Sequence, residues 1–293
     1  YGYLGFAQGH FADFDAAARV TQIGRDLLQK MIAWLNERGA QVIEVDTDGI
    51  YFVPPNSVAA SVSPARTVSP AKTKRQAADT AASTTEIDDL RKGLAKELPP
   101  GIEVEFDEQF DAMFSYKAKN YALLTRSGDV IIKGGALKSR GLEKFQRVFL
   151  EEMIKRIMEG KGEEIGQLRH QFEKRIRNRE MPIEMLMKTD TLQDSLEKYR
   201  AKIAGSARNR AAAYELALAS GRNYKPGDQI SYYIKATPKK VAAYEAAKPA
   251  SEFDPQNRDE NIDYYIAKLD DLVKKFSGIT AEASAPKQES LAL

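Results

Sequence analysis

Val45-Asp46-Thr47-Asp48-Gly49-Ile50-Tyr51 places two carboxylates two residues apart, with β-branched and aromatic residues on both sides. Gln41 to Asp46 and Gly49 to Val53 read as two short strands, and the Asp-Thr-Asp-Gly step between and overlapping them reads as the tight turn of a β-hairpin. Side chains alternate along a strand, so Asp46 and Asp48 can lean to one side of a sharply bent ribbon. Like charges this close raise each other's pKa unless a cation neutralises them. Hard carboxylate oxygens around Mg²⁺ are the usual resolution, and a pair of such ions can stabilise the attacking and leaving oxygens of a nucleotidyl transfer. Alone, Asp-x-Asp-Gly suits an Asx-type turn or a calcium loop equally well. The flanks must decide.

Upstream, Asp15 to Arg38 reads as one helix whose apolar stripe runs through Ala18, Ile23, Leu27, Leu28, Met31, Ile32 and Leu35, with Gly39 as its stop. Downstream, Pro54 to Thr85 is almost wholly Ala, Ser, Thr, Pro and scattered basic residues. It cannot bury enough apolar surface to offset its ordering entropy and is expected to be a disordered insert. A short helix follows at Glu86 to Leu98, ended by Pro99-Pro100-Gly101. Strands are then expected at Ile102 to Phe106, Ala112 to Tyr116, Asn120 to Thr125 and Val130 to Lys133. From Leu142 the pattern is helical: Leu142 to Glu159, Glu163 to Arg179, Leu192 to Gly205 and Arg208 to Ser220. A turn and strand at Tyr224 to Ile234 precede a last helix at Asn261 to Phe276 and a tail expected to fray beyond Gly278.

The chain of 293 residues, 43% hydrophobic, is long enough for one large or two medium domains. Its 44 basic and 42 acidic side chains nearly cancel, so any grip on an anionic partner must come from local charge. That charge lies between Lys117 and Arg147. Lys117, Lys119, Arg126, Lys133, Lys138, Arg140, Lys144 and Arg147 face only Asp129 and Glu143, a segment of +6. Tyr116 and Tyr121 interleave with these cations, as on surfaces that track a nucleic-acid backbone, although a solvated sheet face has the same composition. The absence of cysteine excludes disulfides, thiolate metal sites and cysteine nucleophiles. His10 and His170 are isolated, and no apolar run approaches the roughly 20 residues that span a bilayer. Tyr1-Gly2 opens the chain without Met or a signal pattern, so a start within a longer protein is expected.

Order and spacing of these features resemble the family B DNA polymerases. Tyr1-Gly2 looks like the end of that family's Lys-x-x-x-Asn-Ser-x-Tyr-Gly motif. Ala18 to Arg25 is similar to the palm helix pattern Ala-x-x-(Ile/Val)-Thr-x-x-Gly-Arg, and Glu44 to Gly49 stands where the family has Tyr-Gly-Asp-Thr-Asp-Ser. Lys119-Asn120-Tyr121 resembles its Lys-Lys-x-Tyr motif, with Ala118 in place of the first lysine and Lys117 one position upstream. Lys133 to Arg140 resembles the Gly-x-x-x-x-Arg-Arg opening of the thumb, with Ser139 in place of the first arginine. Leu196 to Tyr199, Tyr224 to Ile234 and Asp263 to Ile266 look like thumb signatures in family order.

The resemblance, bacterial or archaeal polymerase II-like, implies an α+β fold: a partial polymerase palm over residues 1–142, an antiparallel sheet with packed helices, then a mostly helical thumb over 143–293. It implies Asp48 as catalytic metal ligand, Asp46 as its companion carboxylate and two Mg²⁺ ions. Tyr1 and Gly2 would lie at the nascent base pair, and Lys117, Lys119, Tyr121, Lys133 and Arg140 on DNA. The implied partners are primer–template DNA and deoxynucleoside triphosphates, with a sliding clamp as a further candidate. The implied place is the cytoplasm, on the nucleoid, with no membrane. Another palm enzyme, a non-catalytic polymerase-like DNA-binding scaffold and a metal-free interaction domain stay open as alternatives. The chain by itself is expected to extend no primer.

Overall fold

The computed structural model describes residues 2–46, 49–55, 87–135, 137–138 and 141–284, without the side chains of Asp46 and of 277–284. The fold is α+β, with small antiparallel sheets among helices. The chain divides into two compact units. One comprises Tyr1–Lys119 with Thr125–Ser127, the other Asn120–Leu124 with Gly128–Leu293. Of the expected insert, only Pro54 and Pro55 fall within the described residues.

In the first unit, helix α1 (Phe14–Glu37) starts where the Asp13 carboxylate accepts a hydrogen bond from the Ala16 amide at 2.9 Å. It ends at Gly39, whose φ of +78° is the left-handed conformation that lets the chain reverse straight into a strand. Only the C-terminal half of its expected apolar stripe is used. Trp34 and Leu35 are buried and Met31 is partly so, whereas Ile23 stays exposed. Strands β1 (Gln41–Asp46) and β2 (Gly49–Val53) pair antiparallel, as the alternation predicts. Their inner face presents Val42, Ile50 and Phe52 to Trp34 and Leu35, and a helix at residues 87–95, α2, adds Leu90 and Leu94. Where the sequence suggests a strand at Ile102 to Phe106, none forms. Val104 still packs into the core and Phe106 meets the Phe52 ring edge-on at 6.2 Å. Of the three alternating apolar residues only Val104 is half-buried, while Ile102 and Phe106 stay exposed, so the alternation does not mark a strand here. Strand β3 (Phe110–Lys117) follows.

In the second unit, β4 (Asn120–Thr125) pairs with β5 (Val130–Lys133), Tyr121 opposite Lys133 and Leu124 opposite Val130. Helix α3 (Lys144–Met158) is the core helix, with Phe145, Phe149, Met153 and Ile154 fully buried. It packs on α4 (Ile165–Arg177) and α8 (Ile262–Ser284), where Phe149 meets Phe172 edge-on at 5.2 Å and Phe145 meets Tyr265 at 5.9 Å. Short helix α5 (Ile183–Leu186) leads to a sheet ordered β6 (Lys188–Thr191), β7 (Gln229–Ile234), β8 (Ala247–Pro249). Helices α6 (Leu196–Ala204) and α7 (Ala212–Ala219) lie between β6 and β7 in the chain. The helix expected from Leu192 begins only at Leu196, where Ser195 caps it, the one expected from Arg208 begins only at Ala212, and α8 runs past Gly278 to Ser284; the outer strands β6 and β8 give no sequence signal of their own.

A Cβ on Gly93 would lie 2.8 and 2.9 Å from two atoms of the Trp34 ring. Gly93→Ala should therefore destabilise the first unit by about 1–3 kcal/mol through overpacking, despite a gain of about 1 kcal/mol in helix propensity. Urea unfolding followed by the fluorescence of Trp34, the single tryptophan, checks this.

Candidate active-site hairpin and basic segments

The ribbon β1–β2 closes on the pair Asp46–Gly49, so Thr47 and Asp48 are the residues that connect the two strands. The backbone of Asp46 belongs to β1. Its carboxylate, Thr47 and Asp48 lie outside the described residues, as do Tyr1 and Arg140. Gly2 is an exposed turn residue with open space around it. Among the described residues no group of three or more His, Cys, Asp or Glu forms a cation site. The case for a divalent ion rests on the sequence of this connection, which supplies two carboxylates, Asp46 and Asp48, as hard oxygen donors.

The register of the ribbon shifts between Val42 and Glu44, leaving Ile43 as the extra residue of a β-bulge. Glu44 consequently pairs with Tyr51, on the face away from the Trp34 core. The Glu44 carboxylate accepts the Ser115 hydroxyl at 3.0 Å and the backbone amide of Lys119 at 3.4 Å. Lys119 has φ +61° in the turn after β3, an uncommon conformation for a residue with a side chain. Lys117, Lys119 and Arg126 are all exposed in this unit. The Lys117 ammonium lies 5.2 Å from the Tyr116 ring centre, and Arg126 donates to Gln109 Oε1.

In the second unit Lys133, Lys138, Lys144 and Arg147 are exposed. Glu143, one of only two acids in the basic segment, is 5% exposed. It forms a capping box with Gln146 at the start of α3 and accepts the Tyr264 hydroxyl at 3.3 Å, so the segment's surface is more cationic than its sequence. Tyr121 runs against expectation. It is 3% exposed on a strand whose four central residues are all buried, so its ring packs inside rather than between surface cations.

Sequence reasoning missed the cluster around Asp194. This carboxylate receives Lys202 at 2.6 Å, Lys198 at 3.1 Å and Arg208 at 3.2 Å. The Arg208 guanidinium lies 4.5 Å from the Tyr214 ring, itself stacked on Tyr199 at 4.2 Å. Hydrogen bonds from Lys202 and Lys198 hold the Asp194 carboxyl below the usual carboxylate range. The spacing Asp194, Lys198, Lys202 was visible as successive helical steps; the approach of Arg208 was not.

Residues 1–277 match the profile of the family described as DNA polymerase family B. This chain belongs to that family. Similar curated family members include the DNA polymerase of Thermococcus sp. strain 9oN-7, 25% identical over 91% of this chain and 31% of that protein. The DNA polymerase of Thermococcus kodakarensis is 26% identical over 91% of this chain and 14% of its own length. Among solved structures, the family B DNA polymerase of Pyrobaculum calidifontis superposes with a TM-score of 0.62 at 22% identity, covering all of this chain and 32% of that one. The chain thus spans a third or less of the length of these relatives.

Asp194 supplies a pH test. A depressed carboxyl contributes stability that is complete above its unfolded pKa of about 3.9 and fades as pH falls through the lower folded value. Asp194→Asn is expected to lower the urea midpoint of the second unit at pH 7 and to flatten its acid dependence below about pH 4, read by far-ultraviolet circular dichroism.

Proposed function

We propose that this chain is the C-terminal half of a polymerase palm, residues 1–142, followed by its thumb, residues 143–293, within a longer template-directed DNA polymerase. The single observation that carries the reading is the β1–β2 ribbon, docked on α1 by Trp34 and Leu35 and closed by the pair Asp46–Gly49, the step at which the sequence carries Asp-Thr-Asp-Gly. Membership of family B and the match to a third of its relatives' length support it.

In the proposed reaction the primer 3′-hydroxyl attacks the α-phosphate of an incoming deoxynucleoside triphosphate and pyrophosphate leaves. Asp46 and Asp48 would hold Mg²⁺, which when bound supplies charge stabilisation to the attacking and leaving oxygens. Lys117 and Lys119, exposed beside the turn after β3, would meet primer-strand phosphates near the reacting end. Lys133 and Arg140 would do so at the entry to the thumb, and Tyr1 with Gly2 would border the nascent base pair. Tyr121, being buried, would act by holding its strand rather than by stacking on a base. Primer–template DNA and deoxynucleoside triphosphates are the proposed partners, with a sliding clamp as a further one, and the nucleoid is the proposed site of action. No described helix is long and apolar enough to cross a membrane.

Primer extension tests the proposal. The longer protein containing this chain should extend a recessed 3′ end with Mg²⁺, and Asp48→Asn should reduce extension by at least about a thousandfold while duplex affinity stays within about threefold. This chain alone should bind duplex weakly and extend nothing. Full activity of the Asp48→Asn protein would contradict the assignment.

A further inference from the structure

Glu44 stands where the Tyr-Gly-Asp-Thr-Asp-Ser pattern that this stretch resembles has its tyrosine. The structure gives the replacement a job. The bulge at Ile43 turns Glu44 to the outer face of the ribbon, and there one carboxylate takes two donors from different parts of the neighbouring element. Ser115 lies on β3, and Lys119 lies beyond the end of β3, in the turn. A carboxylate has two oxygens and suits two donors at once, whereas a tyrosine offers one oxygen at the end of a rigid ring.

The Lys119 amide belongs to a residue in the left-handed region, a conformation that persists only when its surroundings fix it. The Glu44–Lys119 hydrogen bond, with its acceptor charged, is one such fixing contact. It joins the strand that carries Asp46 to the turn that carries Lys119, within one unit.

We propose that Glu44 is a positioning residue that holds the Lys117–Lys119 turn in register with the acidic bend, so that the Lys119 cation is presented to the primer strand at a fixed place. The role in DNA binding rests on the palm reading above; the bridge itself does not. Glu44 touches neither DNA nor nucleotide in this scheme and acts through the Lys119 backbone.

Two readouts on this chain separate the parts. The first is amide hydrogen exchange at Lys119. Glu44→Ala should speed it at least about tenfold while the α3 core amides stay unchanged, and Glu44→Gln, which still accepts through Oε1, should stay within about twofold of the parent. Unchanged exchange in Glu44→Ala overturns the proposal. The second is fluorescence anisotropy with a recessed primer–template duplex. Glu44→Ala should weaken binding about fivefold, Glu44→Gln should not, and in a Lys119→Gln background Glu44→Ala should cost less than about twofold more. An equal loss in that background shows that Glu44 acts other than through Lys119 and overturns the proposal. If Lys119→Gln alone leaves duplex affinity unchanged, the DNA reading of this turn fails and the positioning role fails with it, whatever the exchange result says of the bridge.

Discussion

Everything in the first unit hangs on the packing of Trp34 and Leu35, at the end of α1, against the inner face of a two-stranded ribbon. A lone β-hairpin is marginal in water. This one gains a core by laying Val42, Ile50 and Phe52 on that helix end, with Leu90 and Leu94 of α2 completing the enclosure. Gly39 makes the arrangement possible, because a left-handed residue lets the helix turn back into β1 without a connecting loop. The acidic bend is then the ribbon's far end. A pair of carboxylates tolerates such a place when a cation can reach it.

The second unit solves a different problem, that of filling a core with tyrosine. Each of these rings brings a hydroxyl that must find a partner. Tyr232 donates to Asp190, Tyr233 to Asp259, Tyr264 to Glu143 and Tyr199 to Glu215. The Tyr265 hydroxyl oxygen instead accepts from the Ile234 amide. Burial, reinforced by the Asp259 carboxylate, pushes the Tyr233 hydroxyl up to about 12, so it remains a neutral donor at physiological pH. Glu143 is thereby held inside, while Asp190, Glu215 and Asp259 stay partly exposed.

The sequence was most legible where one period ran for several turns or where a turn was punctuated by glycine. Helix α1, the ribbon, α3 and the β4–β5 hairpin all lie within a few residues of expectation. It was least legible where partners far along the chain decide the outcome. β6 and β8 are three or four residues long and exist because β7 lies between them. The segment at 102–106 alternates like a strand but joins no ladder: the Ile102 amide turns back to the Pro99 carbonyl, and Val104 packs by its side chain. Tyr121 reads as a surface aromatic among cations, yet it is enclosed, and Glu143 reads as a surface acid, yet it caps α3 from inside. Of the candidate site, Lys117, Lys119 and Lys133 stand exposed. Asp48, Tyr1, Arg140 and the Asp46 carboxylate fall outside the described residues. The bridge from Glu44 could not have been foreseen, since it depends on a one-residue bulge.

The central claim is that the bend at residues 46–49 is a divalent-cation site beside a cationic turn. Paramagnetic broadening by Mn²⁺, followed residue by residue in nuclear magnetic resonance spectra of this chain, tests it most directly. The account predicts that broadening at low Mn²⁺ begins at the 46–49 bend, spreads next to Glu44 and the Lys119 turn, and disappears in Asp48→Asn. Broadening that starts elsewhere, or that persists undiminished in Asp48→Asn, would contradict it.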